Sequence, residues 1–397
     1  MKRLFSTFAL FSIIALGNHA ITIDEVLNTI FANNLGIKAQ KAIAESEKSN
    51  RNSTTGLRND PAIDGEYLFG NEQNNDKWAV SISQGFNWPG FYSAQTKAVK
   101  SANEATNLLV NANVLETMMN ARQLCIDIVT LNRKKAFMIG QMERYTKMLK
   151  NNEKAFNQGE VTILDTNKFR IEYLNAKLDA DAIEMELNKK INELVGLNAG
   201  IEIDRTELHA MTEYPQSSLL PLNDYLQLMA SSDPNLQYYA TSHEAATHAI
   251  TAAKRERLPG FTLGYKYSKE SGKPFQGPVF GVNLPVFSTR GKVTAAKADA
   301  YAAQLQQEKF ETERTTEITN DHARATMLKE MIESYHQALD SSNYTALLEK
   351  AFNGGQMTAL EFLMELQYYY NSVFELTDFE HEYFSIENSL NRYQLLK

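Results

Sequence analysis

Few residues in this 397-residue sequence have the type and spacing that chemistry requires. His243-Glu244 and His248 come nearest to a zinc-binding helix. That motif needs two histidines four positions apart on one helical face, with the glutamate as general base; here the spacing is five. The other histidines are scattered, and there is no phosphate-cradling glycine loop and no nucleophile elbow. The single cysteine, Cys125, has no second cysteine for an intrachain disulfide, and on an apolar helical stripe it reads as a small core residue. An enzyme, a cofactor or a bound metal is therefore not expected. What stands out instead is a pair of carboxylates, Asp165 and Glu361, at the ends of two similar stretches. These are Phe-Asn-Gln-Gly-Glu-Val-Thr-Ile-Leu-Asp and Phe-Asn-Gly-Gly-Gln-Met-Thr-Ala-Leu-Glu. Gly159 and Gly355 permit a tight reversal between helices. Thr162 and Thr358 are suited to cap the helix that follows, and a carboxylate in that first turn favours the helix dipole.

Both stretches belong to a longer repeat. Glu153-Lys154-Ala155-Phe156-Asn157 recurs as Glu349-Lys350-Ala351-Phe352-Asn353, an offset of 196 residues. The same offset carries Leu164 onto Leu360, and Gly85, Asn87, Pro89 and Phe91 onto Gly281, Asn283, Pro285 and Phe287. One offset that holds from strand to helix to turn implies two duplicated, equivalent halves.

The prolines bound the helices. None lies between Pro89 and Pro215, and none follows Pro285. Proline inside a helix costs ~3 kcal/mol, so two long proline-free stretches are open to helix. Apolar residues recur there at three- and four-residue spacing, as in Ala105, Leu108, Leu109, Ala112, Leu115 and Met119. Helices are predicted over about 94–150, 162–195, 292–350 and 358–396. A helix of ~58 residues would span ~87 Å, far beyond the usual globular length, which points to a coiled-coil assembly or a projecting tube.

Before each helical pair stand two alternating segments. Ile63, Gly65, Tyr67 and Phe69 alternate with Ala62, Asp64, Glu66 and Leu68, and Trp78, Val80, Ile82, Phe86 and Trp88 alternate with small or polar residues. Phe261, Leu263, Tyr265 and Tyr267 repeat the pattern, followed by Phe280, Val282, Leu284 and Val286. Polar loops are expected over 70–77 and 269–277. Segments of about ten residues, apolar outside and polar inside with aromatics near their ends, suit a tilted strand in a bilayer. Four strands cannot close a membrane barrel, and an open edge in lipid leaves backbone groups unsatisfied. Several chains must therefore share one barrel.

Lys2 and Arg3, an apolar run from Leu4 to Leu16 and the small residues that follow form a secretory signal peptide over 1–20. The first repeat then covers 21–199, with strands at about 61–70 and 78–88 and a helical hairpin at about 92–197 whose tip lies near 157–162. A linker covers 200–222. The second repeat covers 223–397, with strands at about 259–268 and 278–287 and a hairpin at about 290–396 whose tip lies near 353–358. A formal net charge of -8 argues against a nucleic-acid partner.

With these features together, the chain resembles the TolC-like outer membrane factor family, with its metal-efflux branch as a candidate subfamily. The carriers are the duplicated strand–strand–helix–turn–helix unit, the exits Gly-Phe-Asn-Trp-Pro-Gly-Phe and Gly-Val-Asn-Leu-Pro-Val-Phe, and the two glycine turns. The resemblance covers essentially the whole mature chain. It implies a mainly α fold with a small β part: a long antiparallel coiled-coil α-helical barrel and four transmembrane strands per chain. A homotrimer would close a twelve-stranded barrel in outer-membrane lipid above a periplasmic tunnel. The partners it implies are a periplasmic adaptor protein and an inner-membrane pump of the RND type, exporting metal ions, drugs or other solutes. The linker would lie near the tunnel's equator. The family's adaptor-docking role falls on Gly159, Thr162, Leu164, Gly355, Thr358 and Leu360. Asp165 and Glu361 match the family's tip carboxylates. Three copies of Glu361 would form an acidic ring that attracts cations, while the plainer reading keeps both as solvated first-turn carboxylates. Some members lock the closed tip with a tyrosine and an arginine; the matching positions here are Phe352 and Met357, so packing would have to replace that latch. The alternative to a channel is a periplasmic coiled-coil adaptor or scaffold, which accounts for the leader and helices but not for two hairpins of lipid-suited strands.

Overall fold

The computed structural model describes residues 21–57, 59–71, 75–216, 218–340 and 344–396. The signal peptide expected over 1–20 lies outside the described residues. The first half runs α1 (Ile23–Asn33), α2 (Leu35–Asn52), β1 (Ala62–Leu68), β2 (Lys77–Phe86), α3 (Pro89–Asn157) and α4 (Ile163–Leu197). A short α5 (Arg205–Ala210) follows within the linker. The second half runs α6 (Leu222–Ser232), α7 (Pro234–Glu256), β3 (Gly260–Glu270), β4 (Lys273–Asn283), α8 (Lys292–Asp340), α9 (Tyr344–Asn353) and α10 (Ala359–Leu390). The expected fold class, mainly helical with one small sheet, is what the chain adopts. No described helix is long and apolar enough to cross a membrane.

Two features differ from the sequence expectation. A helix pair precedes each strand pair: α1–α2 before β1, and α6–α7 before β3. Proline does not prevent the second pair, because Pro221 is the N-cap of α6 and Pro234 opens α7. At the first helical position the missing N–H is an orphan in any case. Asp233 then caps α7, its Oδ1 accepting from the backbone N–H groups of Asn235 and Leu236 at 2.8 and 3.1 Å. In addition, the stretch 269–277 is not a loop. β3 continues to Glu270 and β4 begins at Lys273, leaving a two-residue turn at Ser271 and Gly272 with φ of 48° and 80°. Two consecutive positive φ values match the twist of a tight hairpin.

The chain forms two compact units. One contains the residues up to Asn33, Ala121–Pro215 and Gln337–His381. Its core packs Met138, Tyr145, Met148 and Phe169 against Leu348, Phe362, Leu366 and Tyr370. Burying each such side chain contributes ~1.5–3 kcal/mol. The linker is tied to this unit: Asn132 Nδ2 donates to the carbonyls of Leu208 and Met211, both at 2.8 Å. The other unit contains Asn34–Asn120, Gln216–His336 and Glu382–Lys397. It holds the whole sheet and a core of Leu115, Tyr225, Met229, Ile318, Ala325, Leu390 and Tyr393.

Candidate functional site

The sheet has the order β1-β2-β3-β4, antiparallel throughout. β2 pairs with β3 over ten positions, so the hairpins of the two halves form one surface. The register sorts the side chains. Ile63 lies opposite Ile82 and Tyr67 opposite Trp78; Val80 opposite Tyr267, Ile82 opposite Tyr265, and Phe86 opposite Phe261; Leu263 opposite Phe280, and Phe261 opposite Val282. Cross-strand partners share a face, so all of these lie on one face. Most are open to solvent within the chain, Ile63 and Phe280 at 75%. Trp78 packs on Tyr267 at 5.5 Å toward one end of this face, and Trp88 on Phe261 at 5.6 Å toward the other.

The opposite face carries Asp64, Glu66, Ser81, Ser83, Lys266, Ser268 and several glycines. Lys266 donates to Glu66 Oε2 at 3.2 Å across it. Gly264 sits against β2 so closely that a Cβ there would meet the Ile82 carbonyl oxygen at 2.6 Å. That face is mostly small and polar, with Leu68 and Phe275 exposed on it only near the hairpin turns; an exposed apolar face opposite it is the inverse of a soluble sheet, which turns its apolar side to its own core. β1 and β4 each have a neighbour on one side only, so both outer edges present unpaired backbone groups. The strand ends that join helices, the starts of β1 and β3 and the ends of β2 and β4, all lie at one end of the sheet.

The two helical reversals are built alike. At the end of α3, Gly159 has φ 77°, its N–H bonds to the Phe156 carbonyl at 2.9 Å, and Glu160 N–H bonds to the Ala155 carbonyl at 2.9 Å. At the end of α9, Gly355 has φ 68°, its N–H bonds to the Phe352 carbonyl at 3.0 Å, and Gln356 N–H bonds to the Ala351 carbonyl at 3.0 Å. Both are Schellman ends, which glycine satisfies without strain. Thr162 caps α4, accepting from Asp165 N–H at 3.3 Å while its hydroxyl donates to Asp165 Oδ2 at 2.7 Å. Thr358 and Glu361 form a full capping box. Glu361 N–H donates to Thr358 Oγ1 at 3.2 Å, and Glu361 Oε2 accepts from Thr358 N–H at 2.7 Å and from its hydroxyl at 2.9 Å.

These bonds set the charge of both carboxylates. The backbone N–H of Thr358, then its hydroxyl, holds the Glu361 pKa below the usual value. The Thr162 hydroxyl, then Lys168, does the same for Asp165. Both side chains are thus anionic at neutral pH and engaged at helix starts. Leu164 and Leu360, one position earlier, are exposed at 69% and 53%. Phe352 is half-buried and stacks on Phe362 at 4.8 Å, with Phe169 5.9 Å away, and Met357 packs against the same cluster. Every candidate tip residue therefore lies at one of the two reversals, and the Phe352 and Met357 side chains face the core beneath the second.

Sequence reasoning missed a polar junction in the same unit. Asp127 of α3 accepts from His381 Nε2 of α10 at 2.8 Å and from Gln123 at 3.0 Å, and pairs with Lys190 of α4 at 2.9 Å. Burial pushes its pKa up, but the bonds from His381, Lys190 and Gln123 outweigh that and leave it lowered. Residues 127, 190 and 381 are too far apart in sequence for any local signal to join them. Cys125 is fully buried, and burial pushes its thiol up to about 12. His248 faces Glu244 at 3.3 Å.

The fold can be compared with known structures. No family model matches the sequence, and no curated protein matches it at the sequence level. Solved structures do match in shape. The outer-membrane channel OprN superposes with a TM-score of 0.78 at 12% identity, covering 94% of this chain and 89% of its own. The outer membrane protein VceC from Vibrio cholerae gives 0.76 at 16% identity, covering 94% and 95%. The CmeC outer membrane channel from Campylobacter jejuni gives 0.74 at 13% identity, covering 99% and 93%. The chain thus has the fold of TolC-like outer membrane channels over nearly its full length.

Proposed function

We propose that this chain is one subunit of an outer-membrane exit duct, a passive channel that completes an export pathway across the cell envelope. The observation that carries this reading is the sheet: four strands, an exposed apolar face bracketed by aromatic pairs, and two unpaired edges. In lipid, those edges are stable only when other copies pair with them. Three copies give twelve strands, within the range of known outer-membrane barrels. The charged and small residues of the opposite face would then line a wet lumen. The fold shared with OprN, VceC and CmeC supports the same reading.

The tips serve docking and gating in this reading. Gly159, Thr162, Leu164, Gly355, Thr358 and Leu360 form the surface met by the helical hairpins of a periplasmic adaptor, which links the duct to an inner-membrane pump of the RND type. Exposed Leu164 and Leu360 supply apolar contact there. Glu361 and Asp165 sit at the gate, with Phe352 and Met357 packed beneath it. Glu361 Oε2 is committed to the capping box, so an acidic ring across the pore would use its other oxygen. Deletion of the gene, followed by sensitivity tests to a panel of metal ions and drugs and by membrane fractionation, tests the proposal. The expected result is the protein in the outer-membrane fraction and a gain of sensitivity that the intact gene reverses. Recovery in the soluble or inner-membrane fraction would contradict it.

A further inference from the structure

At the end of the sheet that joins the helices, a groove of about 440 Å³ opens between the start of β3 and the exit of β4. Arg257, Pro259, Leu284, Val286, Thr289 and Arg290 line it. Its two guanidinium groups are unusual for this region. Two cations beside them are engaged: Arg255 donates to the Gly90 carbonyl and to Ser93 Oγ, and Lys292 pairs with Glu256 at 3.0 Å. Arg257 and Arg290 are exposed and, among the described residues, neither takes part in an ion pair. An unpaired guanidinium offers a planar fork of donors that fits a phosphate group.

The rest of the groove mixes apolar Pro259, Leu284, Val286 and Val293 with the hydroxyl-bearing Thr289 and Thr294. Leu284 and Val286 are exposed at 66% and 67%; Leu284 follows Val282 directly past the end of β4, and the chain then turns, with the Val286 N–H bonded to the Leu284 carbonyl at 2.9 Å. Leu284 joins the groove to the apolar face, because Val282, two residues earlier, lies opposite Phe261 on that face. At the opposite end of the sheet Lys77 is paired with Glu270 at 3.5 Å, and the exposed cations there are lysines, Lys269 and Lys273, which have no guanidinium fork.

We propose that Arg257 and Arg290 bind the phosphate of a glycerophospholipid headgroup, with the acyl chains lying along Leu284, Val286 and the apolar face. The inference rests on reading that face as the membrane wall. Free phosphate would leave the aliphatic wall without a role, whereas an amphiphile with an anionic head uses both parts. Because the helices leave the sheet at this end, the lipid belongs to the leaflet on the helical side. The bound headgroups would fix how deep the barrel sits.

The test uses the full-length protein, purified in detergent, partly delipidated and titrated with phosphatidylglycerol. Bound lipid is counted by native mass spectrometry. The double variant Arg257→Gln, Arg290→Gln is expected to weaken retention about thirtyfold, from two basic contacts at an anionic surface, and Arg257→Lys, Arg290→Lys to restore part of it. Quenching of Trp78 and Trp88 by brominated acyl chains in vesicles reads the membrane wall independently. Unchanged retention in the glutamine variant, with quenching intact, overturns the headgroup site alone. A preference for lipid A through the same arginines also overturns it, because that lipid occupies the other leaflet. Absence of quenching in the wild type overturns the membrane wall and the site together.

Discussion

Ile82 and Ser83 are neighbours on β2, and their side chains leave opposite faces of the sheet. Ile82 lies opposite Ile63 and Tyr265 on the apolar face and is 54% exposed. Ser83 lies opposite Ala62 and Gly264, on the face that carries the charged and small residues. If the apolar face meets lipid, Ile82→Lys places an ammonium in hydrocarbon near mid-strand, at a cost of about 2–4 kcal/mol per chain. Three chains sharing one barrel multiply this to ~6–12 kcal/mol per assembly. On the same reading Ser83→Lys would place the charge on the water-facing side and should shift stability by no more than ~0.5 kcal/mol, as at other solvated sites. Urea unfolding from lipid vesicles, followed by tryptophan fluorescence, measures both variants against the wild type. A large loss for Ile82→Lys beside near-wild-type Ser83→Lys is expected. Equal effects, or a greater loss at Ser83, would refute the assignment of faces, since a one-residue step is the only difference between them.

Thr358→Ala removes the N-cap of α10 and one half of its capping box, so the first turn of that helix should open more readily by ~1 kcal/mol, read by amide hydrogen exchange; Thr162→Ala should act likewise at α4. The Asp127 junction makes a prediction in pH. Because the folded-state pKa of Asp127 is lowered, its contribution is fully present above the unfolded value of ~3.9 and is lost as pH falls through the folded value. Urea midpoints of the wild type and Asp127→Asn should therefore differ at neutral pH and converge in acid; parallel profiles would contradict the assignment. Phe352→Ala and Met357→Ala remove the aromatic stack and its neighbour beneath the second tip. Both should raise resting conductance in planar bilayers, and wild-type conductance would show that these side chains do not hold the tip.

Where patterns were local, the sequence was informative. Alternation identified the apolar face before any register was known, and the glycine–threonine turns located both reversals to within a residue or two. Long proline-free stretches foretold α3 and α8. Proline's position matters as much as its presence. Pro234 begins α7 rather than preventing it. Pro274, within the stretch expected as a polar loop, lies inside β4, an outer strand of the sheet, where one backbone side has no partner within the chain and a missing N–H is tolerated. The α1–α2 pair went unread for another reason. Val26, Leu27 and Ile30 have helical spacing, but two short helices give a weaker signal than one long stripe. The Asp127–Lys190–His381 junction and the Arg257–Arg290 groove were out of reach altogether. Their members come together only when distant elements pack, and no spacing rule reports that.

The pore, on this account, belongs to an assembly and not to a chain, because the sheet has two open edges. Purified protein separated by size into oligomer and monomer, with each fraction applied to planar lipid bilayers, tests this most directly. Steady channel conductance is expected from a trimeric fraction and none from the monomer. Conductance from the monomer, or a stable oligomer that neither inserts nor conducts, would contradict it.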